Sequence, residues 1–175
     1  MKVLVLVKAT PNSEKGIVPD ESFKEMFEAM GKYNEQLIKA GIMKEADGLK
    51  PSSAGKRITL SDDGTTSVSD GPFTPAGELV AGYWIWEVKS MDEAVSWAKR
   101  CPNTMPGENG VLELRPANTM EDFGELMTDE ARAQDAKLRK MVKGQSRRKP
   151  TAKKAPAKRA PVRNKTKAKR PKAKK

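Results

Sequence analysis

The chain has 175 residues, with 34 Lys or Arg against 23 Asp or Glu, a net charge of +11, one Cys and no His. That length suits one core with an extension; the lone Cys101 excludes an internal disulfide framework, and the missing His removes the commonest metal ligand and acid–base group. The charge is sharply divided: 15 basic and 23 acidic residues up to Asp135 give −8, whereas 19 basic residues and no acidic one follow from Ala136 onward.

Residues 3–7 (Val-Leu-Val-Leu-Val) are apolar on both alternating faces, the pattern of a strand covered on both sides. The run closes at Lys8 and is too short for a signal-peptide core or a membrane span, so a soluble, cytoplasmic chain with no membrane partner is expected. Phe23, Met26, Phe27, Met30, Leu37 and Ile38 recur at helical spacing, with Asp20 or Ser22 as cap and Gly41 as stop. Residues 56–60 and 65–69 are short extended segments around Ser61-Asp62-Asp63-Gly64, a hairpin pattern. Residues 79–88, rich in aromatic and β-branched side chains, read as a strand apolar on both faces. Ser90-Met91-Asp92-Glu93 is a capping box opening a helix that Cys101-Pro102 closes. Residues 110–115 alternate as a last strand, and a third helix is expected from a Thr128 cap to Gly144.

The order β-α-ββ-β-α-β plus a helix fits an α+β fold: a ferredoxin-like βαββαβ unit with an added hairpin strand. Three regions are expected: an α+β domain over 1–120, a linker and C-terminal helix over 121–144, and a disordered basic tail over 145–175. Strands that are apolar on both faces leave one sheet face without helices to cover it, and a second copy is the simplest cover, giving a homodimer closed sheet against sheet.

Asp70-Gly71-Pro72-Phe73, Glu78-Leu79, Gly82-Tyr83-Trp84, Asp92-Glu93-Ala94 and Ala98-Lys99-Arg100-Cys101-Pro102 occur in that order. With Gly31-Lys32-Tyr33-Asn34, Gly48-Leu49 and Val111-Leu112-Glu113-Leu114-Arg115-Pro116, this chain of motifs resembles the DGPF-type branch of the YciI-related family over about the first 120 residues. The resemblance implies a dimeric α+β barrel with a pocket near the dimer seam, in a family whose function is mostly unassigned. Members with proposed enzymatic roles use a His-Asp pair, and without a His only the Asp70 side of that arrangement carries over.

Asp70 precedes Gly71-Pro72, where Asp accepts backbone hydrogens in a tight turn and Gly takes positive φ; the sharper alternative is a buried pocket carboxylate that takes a proton. Pocket candidates are Asp70, Phe73, Tyr83, Glu87 and Arg115. Tyr83, Trp84 and Trp86 either stack on a flat ligand or fill the core, the latter being usual on a core strand. Glu87, Glu113, Arg115 and Lys8 either pair or line a wet pocket. Cys101 at a helix C-terminus is expected to be a buried small apolar residue rather than a nucleophile. Asp62-Asp63-Gly64 and Glu121-Asp122 lack the spacing of a calcium loop, no other signature of a bound group appears, and neither metal nor cofactor is expected.

From Ser146 the chain is almost wholly Lys, Arg, Ala and Pro, with Val162 the only larger aliphatic, and in composition it resembles linker-histone-like tails. Such a segment buries too little apolar surface to order itself. Arg147, Arg148, Lys149, Lys153, Lys154, Lys158, Arg159, Arg163, Lys165, Lys167, Lys169, Arg170, Lys172, Lys174 and Lys175 are the expected contacts to nucleic acid or another polyanion, made without reading sequence. Three functions are thereby framed. In one, the domain binds a small molecule and the tail localises it; in another, a non-catalytic dimer bridges DNA with its two tails; in the last, a cofactor-free enzyme relies on Asp70.

Overall fold

The computed structural model describes residues 1–16 and 20–146. The chain divides into two units, Met1–Asp122 and a second that begins at Phe123. The first is a mixed α and β unit whose elements, in chain order, are β1 (Lys2–Lys8), α1 (Glu21–Lys39), β2 (Met43–Gly48), β3 (Lys56–Leu60), β4 (Thr66–Asp70), β5 (Val80–Glu87), α2 (Met91–Ala98) and β6 (Leu112–Pro116). Four strands form one sheet in the order β2-β5-β1-β6, and each neighbouring pair is antiparallel. β3 and β4 pair only with each other.

The hairpin is therefore present, but neither of its strands joins the main sheet. The edge position belongs to β2, which sequence pattern does not reveal. Its residues Met43-Lys44-Glu45-Ala46-Asp47-Gly48 are mostly charged, and its pairing with β5 shifts register between Met43 and Glu45. An extra residue at that bulge puts Met43 and Ala46, three apart, among the residues packed on the core, so the period of two disappears.

Alternation does govern β1 and β5. Val3, Val5 and Val7 of β1 and Trp84 and Trp86 of β5 are buried, while the intervening Leu4, Leu6, Tyr83 and Ile85 are only half-buried. Register stacks the inward residues in three rows across the sheet. Met43, Trp86 and Val3 form the first; Ala46, Trp84, Val5 and Leu114 the second; Gly48, Gly82, Val7 and Leu112 the third. Side-chain volume falls along the sheet, from a tryptophan row to a glycine row.

α1 starts where expected: the Asp20 carboxylate accepts the Phe23 N–H at 2.9 Å and the Ser22 hydroxyl at 2.7 Å, which makes Asp20 the cap. These two bonds hold its carboxyl below the usual range, the Phe23 amide contributing most. Gly41, at φ 73°, ends the turn after the helix. On α1 only Tyr33 and Leu37 are buried, and the Tyr33 hydroxyl donates to the Trp97 carbonyl at 2.9 Å. α2 is capped by Ser90, whose hydroxyl accepts the Glu93 N–H at 3.2 Å, while the Glu93 carboxylate accepts the Lys89 N–H at 2.6 Å. It ends at Ala98, three residues before Cys101.

In the second unit, α3 (Asp129–Ser146) begins with the Thr128 hydroxyl accepting the Ala131 N–H at 3.2 Å. Leu138, Met141 and Val142 are exposed along it. Among the described residues no helix is long and apolar enough to cross a membrane.

Candidate functional site

The glycine row sets the site. Gly48 and Gly82 face each other on the helix side of the sheet, and above them α1 presents Phe23, Met26, Phe27 and Met30 rather than its buried residues. The result is a cavity of about 930 Å³, within the range of small-molecule sites. Val7 and Trp84 close it toward the core, and Leu49, Pro51, Met105 and Pro106 wall its sides. A Cβ built on Gly48 would meet nothing within 4 Å, whereas one on Gly82 would come 3.1 Å from the Asp47 carbonyl oxygen. Open space therefore lies directly over Gly48.

A few polar groups interrupt this apolar lining. The Trp84 indole N–H donates to the Asn34 side-chain oxygen at 3.0 Å, which fixes both at the cavity's inner wall. Glu14 accepts the Ser52 backbone N–H at 3.0 Å and the Ser52 hydroxyl. Lys15 donates to Asn12 at 2.9 Å, and Asp20 is committed to its helix cap. Glu108 differs. Among the described half-buried acidic residues, Glu14, Glu93, Glu113 and Asp135 each have a side-chain partner, and the Glu108 carboxylate has none. Its loop is nonetheless well held: Asn103 accepts the Met105 N–H at 3.0 Å and donates to the Glu108 carbonyl at 2.8 Å, and Gly107 takes φ 77° to turn the chain.

Of the pocket candidates, only Tyr83 is among the residues lining this cavity, and its hydroxyl bonds Glu45 on the opposite face of the sheet. Asp70 lies at the end of β4, exposed and ion-paired with Lys56. Phe73 is half-buried under the Arg57 guanidinium, 4.2 Å from its ring centre, and its N–H donates to the Ser52 hydroxyl oxygen at 2.9 Å. Gly71 is not among the positive-φ glycines; what demands glycine there is proximity, since a Cβ would fall 1.8 Å from the Ser52 carbonyl oxygen. The Asp70-Gly71-Pro72-Phe73 motif thus clasps the hairpin base to the segment Ser52–Ala54.

Tyr83, Glu87 and Arg115 share the other face of the sheet, the one without helices, together with Leu4, Leu6 and Ile85. There the Tyr83 hydroxyl donates to Glu45 at 3.0 Å, Lys44 pairs with Glu87 at 3.1 Å, and Glu113 lies between Lys8 at 3.7 Å and Arg115 at 3.9 Å. The hydrogen bond to Glu45, followed by burial and the nearby carboxylates, raises the Tyr83 phenol above its ordinary range. The charges on these strands are thus paired, and Tyr83 faces outward instead of joining Trp84 and Trp86 in the core. The cavity lies on the opposite side of the sheet from the face expected to meet a second copy.

Cys101 lines a smaller hollow of about 600 Å³ beside α2 and β6. Burial pushes its thiol up to about 11, so little thiolate forms near neutral pH. Among the described residues no group of three His, Cys, Asp or Glu is placed to hold a metal ion. The expected polyanion contacts from Arg147 to Lys175 lie outside the described residues.

Glu108, Gly48, Gly82 and the methionines of α1 were not expected at a site. Gly82 had a readable signal, since glycine inside a strand often marks a place where something approaches closely, whereas Gly48 lies in β2, which the pattern does not reveal. Glu108 had none, because only folding brings its loop beside α1.

The family model for the YCII-related domain matches residues 1–118. An uncharacterized protein of Rhizobium meliloti (strain 1021) is 33% identical over 79 residues, 45% of this chain. The match spans only 62% of that relative's length. Among solved structures, 5-chloro-2-hydroxyhydroquinone dehydrochlorinase from Burkholderia phenoliruptrix AC1100, in complex with 2,5-dihydroxybenzoquinone, is 19% identical with a TM-score of 0.39, covering 67% of this chain and 94% of that one.

Proposed function

The chain belongs to the YCII-related domain family through residues 1–118, and from that premise we propose that it binds a small molecule between α1 and the glycine row, while its basic tail holds nucleic acid or another polyanion. The observation that carries the first part is the cavity of about 930 Å³ over Gly48 and Gly82. A folded sheet rarely leaves so much apolar lining unfilled without a ligand to fill it. The lining holds no paired acid and base, so the reading is of binding rather than of a named reaction. A thermal-shift screen tests it: a binder should raise the melting temperature of the native chain and fail to do so for Gly48→Val, whose side chain enters the open space.

The same reading takes the main sheet as a ferredoxin-like unit paired into a dimeric α+β barrel. Support comes from the strand order β2-β5-β1-β6, with one helix between β1 and β2 and another between β5 and β6. Further support comes from the helix-free face, where Leu4, Leu6, Tyr83 and Ile85 are rimmed by Glu45, Glu87, Glu113 and Arg115. Analytical ultracentrifugation at micromolar concentration should give a dimer, and a monomer would remove the proposal.

For the tail, 19 cations without one acid from Ala136 onward are the support. Binding by counterion release falls with salt, roughly a thousandfold between about 50 and 200 mM for about six phosphate contacts. Full chain and a chain ending at Gly144 should therefore differ sharply in a salt series with DNA and RNA. Intact binding after truncation would contradict the tail's role. The helix-free apolar face favours a second reading, a dimer that bridges DNA with two tails, for which gel shifts should show bridging that needs both dimer and tail.

A further inference from the structure

We propose that the ligand of the cavity carries a protonated amine on an apolar body, with the Glu108 carboxylate as its counter-charge. The inference rests on reading this cavity as the ligand site and goes on to name the ligand's chemistry. Three observations converge on it.

The first is the unpartnered acid. Glu108 is half-buried at the cavity wall, and its side chain makes no hydrogen bond or ion pair, while the other half-buried acidic residues among those described all do. Its oxygens are not closed off from water and no protein donor holds them, so a ligand ammonium group would meet an uncommitted counter-charge. Glu108 is also pre-positioned: Asn103 grips its carbonyl, and its own N–H donates to the Met105 carbonyl at 3.0 Å, so its backbone is fixed on both sides.

The second is the balance of charge. Three acidic residues, Glu14, Asp20 and Glu108, outnumber the two lysines Lys15 and Lys50 in the lining, while the carboxylate of a fourth, Asp47, accepts from the Tyr83 hydroxyl on the other face. Lys15, Lys50 and Asp20 are all exposed, where solvent screens their charge, and the two half-buried charged residues of the lining, Glu14 and Glu108, are both acidic. An anionic ligand would therefore meet a net negative surround, and a cationic one would be drawn to it.

The third is the lining. Phe23, Phe27 and Trp84 offer aromatic faces, which attract an ammonium group as well as an apolar ring. Phe23 and Phe27 pack on each other, ring centres 5.6 Å apart and planes tilted by 37°, and so form one joint aromatic surface. Met26, Met30 and Met105 surround it with unbranched, polarizable side chains that adapt to shape.

The test titrates the full chain with naphthylethylamine, naphthylethanol and naphthylacetate, one apolar body with three different ends, by calorimetry. The amine should bind most tightly and the acetate most weakly. Glu108→Gln should weaken the amine about tenfold or more, the loss of one charge-assisted bond, while leaving the alcohol's affinity unchanged. Gly48→Val should abolish binding of all three. If the alcohol or acetate binds as well as the amine and Gly48→Val still blocks it, the cavity reading stands and the amine proposal is overturned. If Gly48→Val changes nothing, or none of the three binds, both fall. Far-UV circular dichroism of each variant separates lost binding from lost folding.

Discussion

At one end of α1, Tyr33 and Leu37 are buried in a cluster with Val3 and Trp86; at the other, Phe23, Met26 and Phe27 stand over Gly48 and Gly82 with open space between. The helix is continuous and the sheet is the same, so backbone geometry does not make the difference. It comes from the rows of inward residues, which run from Trp86 through Trp84 to Gly82. One end is closed by side-chain volume and serves stability; the other is kept open by its absence.

The sharpest way to break that contrast is to empty the filled end. Trp86→Ala removes a fully buried indole, and a loss of about 3–5 kcal/mol is expected in denaturant unfolding. A loss below about 1 kcal/mol would show that the tryptophan row does not carry the core. At the boundary between the ends, Asn34→Ala takes away the acceptor of the Trp84 indole N–H, at an expected cost of about 1–3 kcal/mol. That variant should also lower ligand affinity, because Asn34 lines the cavity.

In the open end, Gly48→Val should change stability by less than about 1 kcal/mol in either direction, since a Cβ there meets nothing within 4 Å and valine suits a strand. The smallest effect concerns Cys101, whose charge would act on Tyr33 and whose pKa therefore reports on the filled end. Burial raises its pKa from 9.0 to about 11, so the neutral thiol is favoured in the folded chain. Its stabilising contribution is complete below the unfolded value and is lost as pH rises through the folded one. Alkylation of native protein should accordingly keep accelerating to about pH 11, whereas the unfolded chain levels off near 9.0.

Much of this was legible because pattern and burial coincide. β1 and β5 follow from their apolar, β-branched and aromatic runs, α1 from helical spacing and α2 from its capping box, and Asp20, Ser90 and Thr128 cap as their positions suggest. β2 was not, since a bulge replaces its alternation with a three-residue spacing between Met43 and Ala46. The site was legible only in part. Gly48 and Gly82 stood inside quoted motifs, yet their meaning depends on register, which pairs them across two strands separated by more than thirty residues of sequence. Asp70 drew notice for its motif, and the fold gives the motif a clasping role through Gly71 and Phe73. Glu108 gains significance only by what it lacks, a partner, and no sequence pattern records that.

The most direct measurement follows the three tryptophan indole N–H signals in a ¹H–¹⁵N spectrum during titration with naphthylethylamine. The Trp84 signal, bonded to Asn34 at the cavity wall, should move with the ligand, while that of Trp86, sealed in the filled end, should stay where it is. A titration that moved Trp86 or Trp97 and left Trp84 in place would put the ligand elsewhere and contradict the account.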